Sequence, residues 1–152
     1  MSSTRSNLNA AALAAGLDPE KSAAAILRFS GSYTDLLGFL PPRIEARLTF
    51  TGALDAPMVE LQEAMRSHAM TTPHLHPKVV QLLLFGMLLM DGNDAAQTHA
   101  IASRKEGASW DELQAVVSLC FLFRGLPAAN RGADTLARVA EREAQAAERA
   151  QS

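Results

Sequence analysis

A single cysteine, Cys120, stands among 152 residues, and a lone thiol excludes both an intrachain disulfide and a dithiol motif within one chain. Long apolar runs are absent too. The longest, Val79 to Met90, spans 12 residues and contains Gln81, whereas a bilayer-crossing helix needs roughly 20. No charge of one sign prevails. With 14 Lys and Arg against 16 Asp and Glu, the net charge of −2 offers no basic surface to nucleic acid or to an anionic membrane. Strand signals are missing, with no sustained alternation of β-branched residues and no Asn-Gly hairpin turn. The opening stretch, MSSTRSNLNAAALAAGL, has one arginine and an alanine patch in place of a leucine-rich signal core. No signal peptide is therefore expected, and the expected location is cytoplasmic.

What is present reads as helix throughout. Apolar residues make up 48% and charged residues 20%, the balance of a globular protein long enough to bury a core. Residues 1–18 are expected to form a mobile arm or a weak first helix, and residues 19–152 a single helical domain. Asp18-Pro19 predicts a helix start, and Gly31 its end. Arg43 onward carries Ile44 and Leu48 at helical spacing, with a loop expected at Gly52-Ala53-Leu54-Asp55. Pro57 then begins a helix with Met58, Leu61, Met65 and His68 on one face. After the proline-bearing linker Thr71 to Pro77, Pro77 opens an apolar helix that Asp91-Gly92-Asn93 breaks. Asn93 or Asp94 caps a helix through Glu106, with Gly107 as its left-handed stop. Ser109 and Glu112 form a capping box for a helix through Arg124. Gly125-Leu126-Pro127 turns the chain into a last helix carrying the i,i+4 pair Asp134–Arg138. The expected fold class is all-α, with six to seven helices.

The segment from Leu75 to Ala129 resembles the carboxymuconolactone decarboxylase family, whose fold is shared with the alkylhydroperoxidase AhpD. The matching pieces are Leu75-His76-Pro77-Lys78 before an apolar helix, His99 with Gly107 eight residues later, Trp110-Asp111-Glu112-Leu113, and Arg124-Gly125-Leu126-Pro127-Ala128-Ala129. The resemblance covers roughly residues 40–140. It implies an AhpD-like helical bundle, a homo-oligomer (trimer or hexamer), and a cofactor-free carbon–carbon lyase acting on a small oxygenated or carboxylated molecule such as a lactone. AhpD-like peroxidases carry a Cys-x-x-Cys before the histidine. Gly92 and Ala95 occupy the equivalent places here, which argues against dithiol chemistry. Decarboxylase-like members usually carry Arg or Glu early in the apolar helix, where this chain has Val79-Val80-Gln81.

His99 is the candidate catalytic residue. On a helix its own face carries Ala95, Ala102 and Ser103, which leave space either for a ligand or for close helix packing. An imidazole, with an ordinary pKa of about 6.5, transfers protons near neutrality. Gln81 interrupts an apolar run, so it is expected either to hold a substrate carboxylate or carbonyl or to make a structural hydrogen bond. His76 is a candidate substrate contact or a helix-start residue. Arg124 is a candidate anion contact or a favourable charge at a helix C-terminus. No metal is expected, because no Cys, Asp or Glu joins His68, His74 and His76 at a ligand spacing. Cys120 is expected to be a small buried hydrophobe with an unreactive thiol. Glu45, Glu60 and Glu63 are expected to be solvated, with orientation of His99 by one of their carboxylates as the alternative. Met58, Met65, Met70, Met87 and Met90 are expected mostly to fill the core. The functional alternative is a non-catalytic small-molecule-binding or assembly protein of the same fold. The two very apolar helices, 77–90 and 113–123, carry more apolar surface than one monomer is expected to cover, which also points to a homo-oligomer.

Overall fold

A computed structural model describes the backbone of residues 2–151 and the side chains of residues 7–151. These residues form helices α1 (Ser2–Ala14), α2 (Pro19–Leu37), α3 (Pro42–Leu54), α4 (Ala56–Met70), α5 (Pro77–Asp91), α6 (Ala95–Lys105), α7 (Trp110–Arg124) and α8 (Leu126–Gln151). The all-α reading holds. The described residues make eight helices rather than six to seven, because the N-terminal segment contributes α1. The helices fall into two compact units, one ending at Thr72 and one starting at Pro73.

In the first unit, α2 starts where Asp18-Pro19 predicts, with the Asp18 carboxylate accepting the Glu20 amide at 2.9 Å. Gly31 does not end it. A helical glycine costs only about 1 kcal/mol, and continuing to Leu37 buries Tyr33 and Leu37. The stop comes at Gly38, whose positive φ of 78° suits a left-handed cap. Likewise α3 does not loop at Gly52. It runs to Leu54, and Asp55 both closes it and caps α4, its side chain accepting the Met58 amide at 3.2 Å. Leu48 and Val59 are fully buried in this unit.

In the second unit, α5 packs on α6 and α7, and α8 packs on α6 and α7. Phe85, Leu89, Ala100, Leu113 and Val139 form its core. The caps follow the sequence closely. Gly92 ends α5 with φ 73°, Gly107 follows α6 with φ 86°, and Ser109 and Glu112 close a complete capping box on α7. The core reading of the methionines is overturned. Met58, Met65, Met87 and Met90 are all exposed, because α4 and α5 turn Val59, Glu63, Phe85 and Leu89 inward instead.

The contact between α7 and α8 depends on a missing side chain. A Cβ at Gly132 would stand 2.5 Å from Val117 Cγ1, too close without moving a helix. Gly132→Ala is expected to destabilise the protein by about 1–3 kcal/mol, the usual cost of overpacking. Urea unfolding measures it, and Val117→Ala in the same chain should recover part of the loss.

Candidate functional site

The site begins with the register of α5. Pro77 occupies the first turn, and His76 caps it, its Nδ1 accepting the Lys78 amide at 3.2 Å. That start places Gln81, Phe85 and Leu89 four residues apart on one buried stripe, and Gln81 is only 3% exposed. After Gly92 the chain reverses. Asn93 Oδ1 accepts the Ala95 amide at 2.9 Å and starts α6, and one turn on, His99 faces α5.

There, His99 Nδ1 and Gln81 Oε1 lie 2.8 Å apart. The amide oxygen accepts only, so the ring donates from Nδ1 and its basic lone pair lies on Nε2. This hydrogen bond survives protonation of the ring, since Nδ1–H is present in both the neutral and the charged imidazole. Gln81 therefore holds the ring in place in either charge state. Being neutral, it does so without the electrostatic bias toward imidazolium that a carboxylate would impose. The backbone behind the ring is fixed as well. Ala100, Ala102 and Ser103 are fully buried, and the Ser103 hydroxyl donates to the His99 carbonyl at 2.8 Å. The His99 side chain itself is half-buried.

Lys78 and Glu112 tie the start of α5 to the start of α7 through a 2.6 Å ion pair. The second Glu112 oxygen accepts the Ser109 amide at 2.7 Å. The Lys78 ammonium, and after it the Ser109 amide, hold the Glu112 carboxyl below its ordinary range.

The other candidates are placed as follows. His76 is exposed, with its ring engaged in the cap of α5. Arg124 is exposed in the last turn of α7, where its charge complements the helix dipole. Cys120 is buried, its thiol 3.5 Å from the Gly86 carbonyl, and burial pushes its pKa up, as an inert thiol requires. Among the described residues no three His, Cys, Asp or Glu side chains gather as metal ligands would. Among the same residues no helix is long and apolar enough to cross a membrane.

One group was misjudged from sequence. Glu63, expected in solvent, is 5% exposed. It accepts from Tyr33 Oη at 2.7 Å and from Arg66 Nε at 2.9 Å, and it is also bonded to Arg47. Arg66 in turn lies over the Tyr33 ring at 4.1 Å. The residues come from α2, α3 and α4, so no local sequence pattern announces the cluster. Burial alone would raise the Glu63 carboxyl, but the hydrogen bonds from Tyr33, Arg47 and Arg66 outweigh it and hold it below its ordinary value. Burial, followed by the bond to Glu63, pushes Tyr33 up to about 12.

Both shifts make stability depend on pH. The Glu63 contribution is present above the ordinary carboxyl value of about 4.3 and is lost as pH falls through the depressed folded value. The Tyr33 contribution is complete below about 10, the ordinary phenol value, and is lost as pH rises from there toward about 12. Urea unfolding across pH is expected to show both slopes. Glu63→Gln should flatten the acid one and Tyr33→Phe the alkaline one.

A cavity of about 640 Å³ lies in the first unit between α1 and α2. Leu13, Leu17, Ile26 and Leu27 line it, and among the described residues no titratable side chain does. Comparison of the chain with family models, curated proteins and solved structures finds no match.

Proposed function

We propose that the protein is a cofactor-free carbon–carbon lyase of the carboxymuconolactone decarboxylase type, with His99 as its proton-transfer group and a small carboxylated lactone as its class of substrate. The observation that carries this reading is the 2.8 Å contact between His99 Nδ1 and the buried Gln81 amide. An imidazole whose position is independent of its charge suits a step in which a proton is delivered and later regained. When the bond to a departing carboxylate breaks, its electron pair passes into a conjugated carbonyl of the substrate. The charged ring then protonates the resulting enolate from Nε2. The ordered motifs from Leu75 to Ala129 support the same assignment by resemblance.

The proposal includes a homo-oligomer, trimeric or hexameric. Leu119, Leu122, Phe123 and Leu126 leave an apolar surface on the second unit, with Phe123 81% exposed, and surfaces of this kind mark interfaces. Light scattering at micromolar concentration is expected to give three or six times the 16.2 kDa chain mass; a monomer would contradict it. The neutral Gln81, in place of a charged group, favours a second reading, a binding protein of the same fold without turnover. A panel of small carboxylated lactones separates the two. Carbon dioxide release with loss of the lactone supports the lyase, and saturable binding without turnover across the panel supports the binder.

A further inference from the structure

The Gln81 side chain carries an acceptor and a donor, and the fold uses only the acceptor. Its oxygen accepts from the His99 ring at 2.8 Å. Its amide nitrogen enters no hydrogen bond with any described residue, although Gln81 is only 3% exposed. That nitrogen is not sealed away, because among the described residues no fully buried side-chain nitrogen or oxygen lacks a partner. It therefore reaches accessible space through the little surface that Gln81 retains. We propose that this nitrogen donates to the enolate oxygen of the substrate, which makes Gln81 a second catalytic residue beside His99. The inference rests on the proton-transfer reading of His99.

The chemistry follows from the properties of a carboxamide. Its N–H groups donate throughout the neutral range and do not give up their protons, so they hold an oxygen anion without quenching it. A carboxylate, charged before and after reaction, is matched better by an arginine fork. A neutral donor suits an oxygen whose charge develops only as the reaction proceeds, since the contact is then stronger in the transition state than in the ground state.

The electrons balance with the two residues in these roles. As the carbon–carbon bond to the departing carboxylate breaks, carbon dioxide leaves and the bonding pair passes to the substrate carbonyl oxygen. That oxygen accepts from Gln81. The pair returns to carbon as the imidazolium releases its proton there, and the oxygen is a carbonyl again. One carboxamide carbon carries both the oxygen that fixes the ring and the nitrogen that meets the substrate, so the two groups keep a constant separation. Ala95 and Ala102, one turn before and after His99 on its own face, are small and do not crowd the pair.

The test uses the full-length protein and tetronic acid, a lactone that stands as a stable enolate at neutral pH. Neutral γ-butyrolactone and acetate are the comparators, one supplying the ring and the other the charge. Tetronate is expected to bind saturably, to shift the Gln81 side-chain amide protons in NMR spectra, and to bind at least roughly 10-fold tighter than either comparator. Gln81→Met, similar in size but without a donor, should weaken tetronate roughly 10- to 100-fold, the worth of a hydrogen bond to a charged group. Gln81→Glu keeps an acceptor for the His99 ring but no donor once ionised, and should weaken tetronate at least as much. A Gln81 that only holds the ring would leave its own amide protons unmoved, and this readout on the wild-type protein stands even if a variant fails to fold. Absent or unsaturable tetronate binding, unmoved amide protons, equal binding of either comparator, or unchanged affinity in both variants would overturn the proposal. Tetronate binding as described, with no lactone turned over, would support the donor and contradict the lyase reading alone.

Discussion

Replacing His99 with Ala is expected to lower turnover of a lactone substrate by roughly 10²–10⁴, the contribution of a positioned acid or base. The loss falls on the rate rather than on the fold. His99 is half-buried, and the residues around it that are fully buried, Ala100, Ala102 and Ser103, stay in place. Single-turnover rates beside thermal unfolding separate the two effects. A companion variant probes the Gln81 contact. Gln81→Glu places a carboxylate where the amide oxygen lies 2.8 Å from Nδ1. The ring's titration midpoint should then rise by about 1–2 units relative to wild type, as followed by imidazole NMR. An unmoved midpoint would show that the two side chains do not meet in solution.

The second large effect concerns stability. Glu63→Ala is expected to cost about 3 kcal/mol, toward the lower end of what breaking a buried ion pair costs. The lower end applies because the side chains left behind, Arg47 and Arg66, keep 28% and 25% of their surface in water and recover part of their solvation there. Tyr33 is less fortunate. Its hydroxyl loses the 2.7 Å acceptor and retains the contact with Arg47, which only donates. Urea unfolding of the variant measures the loss. A change under about 0.5 kcal/mol, ordinary for a surface site, would mean that the cluster is open to solvent after all.

The punctuation of this fold was legible in the sequence because capping chemistry is local. Asp18-Pro19, His76-Pro77, Asn93 and the Ser109–Glu112 box each act within three residues, and each does so where expected. Gly31 misled because a glycine's helix penalty of about 1 kcal/mol is small beside the packing of Tyr33 and Leu37, and Gly52 misled because it serves a close helix contact, a Cβ there standing 2.5 Å from Ala25 Cβ. The methionines and Glu63 misled for a related reason. Residue type alone does not say which face of α4 or α5 turns inward, and the faces chosen bury Glu63 while exposing Met58 and Met65. The histidine was conspicuous among small neighbours. Its partner Gln81 was conspicuous as a polar interruption 18 positions earlier, a place that suits either a substrate contact or a structural hydrogen bond. Their pairing required the α5–α6 reversal at Gly92, which brings those positions together in space.

The central claim is that His99 moves a proton and does not merely fill space, and His99→Gln tests it most directly. Glutamine is close to histidine in size and still hydrogen-bonds, so the fold and ligand binding should survive, but it has no titratable nitrogen near neutral pH. Initial rates on a lactone that the wild-type protein turns over, measured beside thermal unfolding of both proteins, decide the matter. The account predicts a variant that unfolds at nearly the wild-type temperature and is slower by roughly 10²–10⁴. A stable His99→Gln protein with undiminished turnover would contradict it.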